Sequence, residues 1–290
     1  MPDPMNVEQA VAERYSKAAR SREPALCCPV DYDPRLLEVI PSEILDRDYG
    51  CGDPTRYLEN GEVVLDLGSG GGKACYIAAQ VVGAGGAVIG VDLNDEMLSL
   101  AESHRETIGD RLGYHNVTFH KGKIQDLALD LGALERYLAS NPVRSLAELE
   151  RLERWKEQQR RDHPMIPADS VDVVVSNCVI NLVRPEDKLQ LFAEIHRVLR
   201  GDGRTVISDI VCDQDVPDRL QDDPELWSGC LSGAFREDLL PPALQRAGFH
   251  DTRILRRDDR PWRVVEGIEF RSVTVQAFKG KDRGRGRTCC

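Results

Sequence analysis

The sequence contains no apolar run long enough to cross a membrane, since none reaches the roughly 18 residues that a spanning helix needs. Its first residues, MPDPMNVEQAVAERY, are polar and charged, which does not fit a secretory signal. The net charge of −11 argues against binding to nucleic acid or to a membrane surface. We therefore expect a cytoplasmic monomer in a reducing compartment, with no nucleic-acid and no membrane partner.

Two further absences concern metal sites and general bases. The nine cysteines include no C-x-x-C pair, so a structural zinc site is not indicated, and a chain of 290 residues is too long for a secreted disulfide scaffold. There is no obvious His–Asp or Ser–His pair, and the six scattered histidines suggest no role. Reduced thiols dispersed along a chain are then either buried packing residues or soft ligands.

The stretch from Val63 to Gln80 is the one around which the chain is organised. It opens with an apolar run, continues with glycines at 68, 70, 71 and 72, and becomes helical near Lys73. A strand, a Gly-rich turn and a helix open a nucleotide-binding α/β domain. A second strand, 86–93, carries Asp92 where an acid would hold ribose hydroxyls. This second half argues against the plainer alternative, a structural Gly-rich turn.

Asp66, just before the glycines, carries a negative charge into the loop. A carboxylate there suits a cationic sulfonium with an amino-acid tail and would repel a pyrophosphate. We therefore expect S-adenosyl-L-methionine (SAM) and not NAD. The predicted contacts are Asp66, Gly68, Gly70 and Gly72 for its methionine half, Asp92 for the ribose, Ile124 and Gln125 for the adenine (Gln125 through its amide), and Asn177 for the backbone of the cofactor.

The chain divides into a cap, a core and a tail. Residues 1–59 contain a helix at about 6–20 and a cysteine-bearing cap segment. Residues 60–279 predict a class I SAM-methyltransferase domain: Rossmann-like, α/β and doubly wound on a mostly parallel, seven-stranded sheet. A substrate-binding segment is expected at about 213–248. The tail, 280–290, is Gly/Arg-rich, ends in Cys-Cys and is expected to be disordered.

Residues 127–168 interrupt the alternation of strands and helices as a helical insert. Ser145 and Glu148 form an S-x-x-E capping box, and an apolar residue recurs every three positions from Leu146 to Trp155. Two interpretations stay open: a surface helix packed on the domain edge, or a mobile lid over the substrate.

Four motifs resemble the arsenite methyltransferases, SAM-dependent enzymes that methylate trivalent arsenic. They are RDYGCG at 47–52, VLDLGSGGGKACY at 64–76, SNCVINLV at 176–183 and LWSGCLSGAF at 226–235. The similarity runs from about residue 27 to 279. It departs from the family pattern in the long insert, in GAF running straight into REDLL without an aromatic pair, and in the terminal Cys289–Cys290 pair.

The resemblance implies catalytic, arsenic-binding thiols at Cys51, Cys178 and Cys230. It also implies an extra N-terminal cysteine at Cys27 or Cys28, with these and Cys75 as possible redox residues. For Cys75, packing and redox roles stay equally open, whereas Cys212 fits a packing residue. The expected partners are arsenite or its thiol conjugates, and a thiol reductant such as glutathione or a thioredoxin-like protein.

Soft, trivalent arsenic prefers thiolates and keeps a lone pair when three of them hold it in a pyramid. Methyl transfer is then a displacement at carbon driven by positioning, and it needs no general base. The expected outcome is methylated arsenicals for detoxification. Two alternatives remain: a methyltransferase of the same fold acting on an organic small molecule, and a metalloid-binding protein without turnover.

Overall fold

The computed structural model describes residues 5–23 and 30–280 of the chain, and side chains from residue 9 onward. Cys27, Cys28, Cys289 and Cys290 lie outside the described residues, as does nearly all of the tail. The helices are α1 Met5–Ala18, α2 Pro34–Leu37, α3 Ser42–Leu45, α4 Lys73–Val82, α5 Asp95–Leu112, α6 Leu131–Ser140, α7 Leu146–Asp162, α8 Lys188–Val198, α9 Asp218–Gln221, α10 Pro224–Ser228 and α11 Leu240–Arg246. The strands are β1 Val63–Leu67, β2 Ala87–Asp92, β3 Val117–Lys121, β4 Val171–Asn177, β5 Leu199–Cys212, β6 Phe235–Arg236, β7 His250–Arg257, β8 Arg263–Val265 and β9 Ile268–Phe278.

One mixed sheet with the strand order β3-β2-β1-β4-β5-β9-β7 forms the centre of the protein. The first five strands of this order are parallel, and β9 is antiparallel to both β5 and β7. The predicted class I fold is confirmed. The described residues add two short strands that the seven-stranded prediction missed, β6 beside β5 and β8 beside β9.

Alternation along β1 explains why both faces of the sheet are covered. Val64 packs with Tyr76 of α4 in one apolar cluster, whereas Leu65 and Leu67 pack with Phe192 of α8 in another. A strand buried on both faces is mostly apolar, as β1 is apart from Asp66, because successive side chains point to opposite sides. The order reverses at β1, so its carboxyl end and that of β4 flank a crevice where open α/β sheets bind ligands.

The long strand β5 continues beyond its pairing with β4 into a third apolar cluster. Its final residues include Ile210 and Cys212, which pack there with Cys51, Cys178 and Cys230. The three cysteines that the family resemblance singles out therefore come together next to the carboxyl end of β4.

The predicted N-terminal helix and the helical insert are both present. The capping box forms at α7, where Glu148 N–H donates to Ser145 Oγ. The insert contains α6 and α7, and its exposed Leu146 shows how little of the apolar stripe is buried. Its two ends meet, because Met165 N donates to Ala128 O at 3.0 Å and Ile166 N donates to Leu127 O at 2.9 Å. None of the helices in the described ranges is long and apolar enough to cross a bilayer.

The hydrogen bonds between the two ends of the insert lead to a testable prediction. Replacing residues 131–162 by a short flexible linker should leave the protein folded and its SAM affinity unchanged, because the ends are already hydrogen-bonded together. Calorimetric titration with SAM and a thermal melt check this. Loss of SAM binding in a folded deletion variant would contradict it, and a fall in turnover alone would mark the insert as a lid.

Candidate functional site

A cavity lies at the carboxyl edge of the sheet, where β1, β2 and β4 end. Most of the predicted cofactor residues line it together with Cys178. Val11, Ala12 and Tyr15 of α1 form another part of its wall. No residue of the insert contributes to its wall. The predicted residues that line the cavity are Asp66, Gly68, Gly70, Asp92, Ile124, Gln125 and Asn177.

Asp92 holds the glycine loop to the end of β2. One carboxylate oxygen accepts from Gly70 N–H and the other from Asn94 N–H, each at 2.8 Å. Gly70 has a positive φ of 51°, and a Cβ there would point into open space. The acid predicted to bind ribose therefore also shapes the loop that a cofactor would contact.

Gly72 is the one predicted loop contact that does not line the cavity. It precedes α4 with a φ of 87°, and a Cβ there would lie 3.0 Å from the rings of Phe119 and Tyr76. The backbone turn and the packing behind the loop account for this glycine.

Asp66 is almost completely buried under the loop and lines the cavity. Its Oδ2 accepts a hydrogen bond from Cys75 Sγ at 3.2 Å. Burial raises the pKa of Asp66 to about 7, the thiol hydrogen bond opposes the rise, and the nearby carboxylates of Asp92 and Asp48 add to it. A buried carboxyl beside other acids favours a cationic ligand, which would stabilise its charged form.

Ser69 provides a second sign that the cavity fits a polar cofactor. Within the described residues, its buried hydroxyl has no hydrogen-bond partner, although the residue lines the cavity. Buried polar atoms are seldom left without a partner in folded proteins, so this hydroxyl is available to a bound molecule. Together with Asp66 and Asp92, it makes the donors and acceptors here suitable for SAM.

Asn177 lines the cavity, but its carboxamide is directed at the Cys51 segment. Its Oδ1 accepts from the N–H groups of Cys51 and Gly52 at 3.0 and 3.2 Å, and its Nδ2 donates to Gly52 O at 2.8 Å. In this structure its side chain positions the first cysteine segment, whereas the sequence suggested a cofactor contact.

The three predicted arsenic-binding cysteines meet beside the cavity. Cys51 and Cys178 are joined in a disulfide with Cα atoms 5.9 Å apart. Cys230 is buried, and its Sγ donates to Cys178 O at 3.0 Å. The sequence predicted three converging thiols; the structure brings the residues together with two of them oxidised, so reduction must precede any binding through all three.

Two of these cysteines have backbones that L-residues rarely adopt. The φ angles of Cys178 and Cys230 are 57° and 62°. Such left-handed conformations persist only where surrounding contacts enforce them, and they concentrate at functional sites. Asn181 provides one such contact, because its Nδ2 donates to Ile210 O at 2.7 Å and to Cys230 O at 3.1 Å.

The sequence reasoning missed Asp209 beside the sulfurs. One of its carboxylate oxygens lies within 4.8 Å of the Sγ atoms of both Cys51 and Cys178. Its carboxylate accepts from Ile180 N–H at 3.0 Å and from Ile210 N–H at 2.8 Å. Burial raises the pKa of Asp209 to about 6, against these backbone bonds and the nearby charge of Lys188. An acid interrupting the apolar strand ISDIVC was the signal that could have identified it.

The two other described cysteines have hydrogen-bond partners other than these three cysteines. Cys75 is fully buried, and burial together with Asp66 raises its pKa well above the usual thiol value. A protonated thiol that solvent does not reach favours the packing interpretation over the redox one. Cys212 is also buried, and its Sγ donates to Ala234 O at 3.7 Å.

Comparison with known proteins places this geometry among methyltransferases. A protein-family model described as "Methyltransferase domain" matches residues 58–248. The arsenite methyltransferase of Aquipseudomonas alcaligenes is 33% identical over 94% of this chain and 72% of its own length. The arsenite methyltransferase of Mus musculus is also 33% identical, over 84% of this chain but only 57% of its own length. This chain spans 57–61% of the length of the mouse protein and three further relatives of the same name.

A solved structure gives the same assignment of the fold. CrArsM, an arsenic (III) S-adenosylmethionine methyltransferase from Chlamydomonas reinhardtii, has a TM-score of 0.68 and 30% identity. The match covers 88% of this chain and 75% of that one. A phosphoethanolamine N-methyltransferase of Haemonchus contortus solved with S-adenosyl-L-methionine has a TM-score of 0.52 at 14% identity, which supports the fold alone.

The role of Asp92 can be tested by removing its carboxylate. Asp92→Ala should weaken SAM binding by about 1.5–3 kcal/mol, or roughly 10–150-fold, because it removes a charged acceptor and loosens the loop at Gly70. Calorimetry measures the affinity, with Asp110→Ala on the exposed end of α5 as control. An unchanged affinity would show that this acid does not hold the cofactor.

The buried Asp66 predicts a pH dependence of SAM binding. A cationic ligand favours the carboxylate, so below a pH of about 7 binding must expel a proton. Affinity should be highest above pH 7 and should fall by about tenfold for each pH unit well below it. Titrations between pH 5 and 8 measure this, and Asp66→Asn should flatten the curve. A wild-type affinity that does not change over this range would contradict a direct role for Asp66.

Proposed function

The chain belongs to the arsenite methyltransferases, and from that premise we propose that it transfers methyl groups from SAM to trivalent arsenic held by Cys51, Cys178 and Cys230. The observation that carries the proposal is the position of Cys178. This residue lines the cofactor cavity and contacts both other cysteines. A metalloid bound there would lie next to the methyl donor.

Reduction of the disulfide is the first step of the proposed reaction. A thiol reductant, such as glutathione or a thioredoxin-like protein, would convert Cys51 and Cys178 to thiols while being oxidised to its own disulfide. Each of the three thiols then replaces one hydroxyl of arsenous acid, forming a sulfur–arsenic bond and releasing one water. The resulting arsenic carries no net charge, which suits the apolar cluster around these cysteines.

In the transfer itself, the protein would position the methyl donor and the arsenic relative to each other. SAM supplies an electrophilic methyl group on a sulfonium when it is bound. Asp92 and Asp66 would hold its two ends, while the cysteines direct the arsenic lone pair towards it from the wall formed by Cys178. Because the nucleophile carries no proton, no general base is needed, and proximity supplies most of the rate enhancement.

Methylation in this way would turn arsenite into methylated arsenicals and serve detoxification. Two other activities remain alternatives that the same assay separates. A methyltransferase for organic metabolites would consume SAM without needing the cysteines. A metalloid-binding protein would bind arsenite without producing methylated arsenic.

The assay combines purified protein with arsenite, SAM and glutathione, and identifies products by chromatography coupled to mass spectrometry. The wild type should release methylated arsenic together with S-adenosylhomocysteine. SAM consumption without methylated arsenic would point to another substrate, and arsenite binding without SAM consumption would point to a binding protein.

Single serine substitutions test the thiol site. Cys51→Ser, Cys178→Ser and Cys230→Ser should each leave two sulfur ligands, weaken arsenite binding and abolish the first methylation. SAM affinity should survive, since none of the three lies in the glycine loop. Arsenite titration and the product assay measure both effects.

Cys212→Ser is the matched control. Cys212 is buried in the same apolar cluster, but its Sγ donates to the carbonyl of Ala234, the residue before β6. It should lower stability more than activity. Wild-type arsenite affinity in all three single variants of the other cysteines would mean that arsenic binds elsewhere.

A further inference from the structure

We infer that Tyr15 of α1 is a positioning residue of the arsenic-binding site, where its phenolic hydroxyl completes the surroundings of the Cys230 sulfur. The inference rests on the proposed function. It assigns to the N-terminal helix a part in binding the substrate, beyond covering the cofactor cavity.

The helix α1 is anchored on the cofactor side of the cavity. Asn94, two residues after Asp92, donates through Nδ2 to Ala12 O at 3.2 Å and to Ser16 Oγ at 2.9 Å. Ser16 Oγ in turn donates to Glu96 Oε2 at 2.8 Å. The middle of α1 is therefore fixed against the start of α5.

A second set of contacts joins α1 to the segment that carries Cys230. Arg14 Nη1 donates to Glu225 O at 3.0 Å and to Ser228 Oγ at 2.9 Å. Ser228 ends α10, two residues before Cys230. The arginine thus holds α1 against the third cysteine segment.

The end of α1 contacts the segment that leads to Cys51. Tyr49 Oη donates to Ala18 O at 3.0 Å, and Arg47 Nη1 donates to Ala19 O at 2.9 Å. One helix therefore touches the cofactor side and two of the three cysteine segments. Tyr15 lies between these anchors, with its ring edge-on to that of Tyr49 at 6.3 Å between centroids.

The hydroxyl of Tyr15 lies 3.9 Å from Cys230 Sγ. The thiol of Cys230 donates its proton to Cys178 O. Once its sulfur is bonded to arsenic it carries no proton and only accepts, so the contact with the carbonyl becomes unfavourable and a neighbouring donor is needed. The phenolic O–H of Tyr15 lies within reach of this sulfur and serves as that donor.

The decisive variant is Tyr15→Phe, which keeps the ring on Tyr49 and removes only the hydroxyl. Its arsenite Kd and its KM for arsenite should rise about fivefold, the effect of one lost hydrogen bond, with kcat unchanged. Its SAM Kd and melting temperature should match the wild type. Titrations of the reduced full-length protein with arsenite alone give the affinity without relying on turnover.

The matched control is Tyr137→Phe, which also removes one phenolic hydroxyl. Its ring stacks on Trp155 in the insert at 4.4 Å and does not line the cavity. Arsenite affinity should not change in this variant. If Tyr15 only packed on Tyr49, Tyr15→Phe would behave like this control, and that result would overturn the inference.

A second variant tests whether α1 delivers the hydroxyl. Arg14→Ala loosens α1 from α10 and should also raise the arsenite Kd, but it should add little when combined with Tyr15→Phe. Fully additive effects would show that the two residues act separately and would count against the inference.

The two proposals fail in different ways. A wild type that binds no arsenite or forms no methylated arsenic would refute the proposed function. A wild type that methylates arsenic, paired with a Tyr15→Phe variant that binds arsenite equally well, would refute only the role of Tyr15.

Discussion

Two carboxamides hold the cysteine segments of this protein around one loop. Asn177 binds the backbone of Cys51 and Gly52, and Asn181 binds the carbonyl of Cys230. They flank Cys178 at the end of β4, so a single loop organises three residues that are 127 and 52 positions apart in the chain. Everything proposed for arsenic depends on this arrangement. Asn181 is buried, and a buried amide that satisfies backbone groups is difficult to displace.

The cofactor side of the cavity and the side next to the cysteines differ in the charged groups around them. The cofactor side has the carboxyls of Asp66, which is buried, and Asp92, which is partly buried, and this suits a cation. The cysteine side has an apolar cluster, with the buried Asp209 and Lys188 nearby. Burial lowers the pKa of Lys188 to about 8, while Asp209 opposes the change. An uncharged, sulfur-bound arsenic fits the cysteine side, whereas a hydrated anion would be costly to bury there.

The parts of this molecule that follow from local patterns were predictable from the sequence. The strand, glycine turn and helix from Val63 onward, and the capped helix after Ser145, depend on residues close together in the chain, and both formed as expected. The grouping of the cysteines came from motif resemblance, since no spacing rule brings residue 51 to residue 230.

What the sequence left hidden depends on tertiary contacts. Tyr15 and Asn181 resemble ordinary helix and loop residues until the fold brings α1 over the cavity and the loop after β4 beside Cys230. Asn177 lines the cavity, as the predicted cofactor contact requires, but its bonds to the backbone of Cys51 and Gly52 could not be foreseen from its place at a strand end. The two short strands β6 and β8 are edge additions too brief to show periodicity.

The left-handed backbone conformations of Cys178 and Cys230 lower the stability of the fold at two residues that the proposed function needs. Glycine adopts this conformation freely, whereas in an L-residue it costs about 1–2 kcal/mol. A random change to glycine at either position would thus relieve strain while removing a sulfur ligand. Under the proposed function, selection for stability alone would therefore act against the sulfur site, and only the need to bind arsenic would retain these two cysteines.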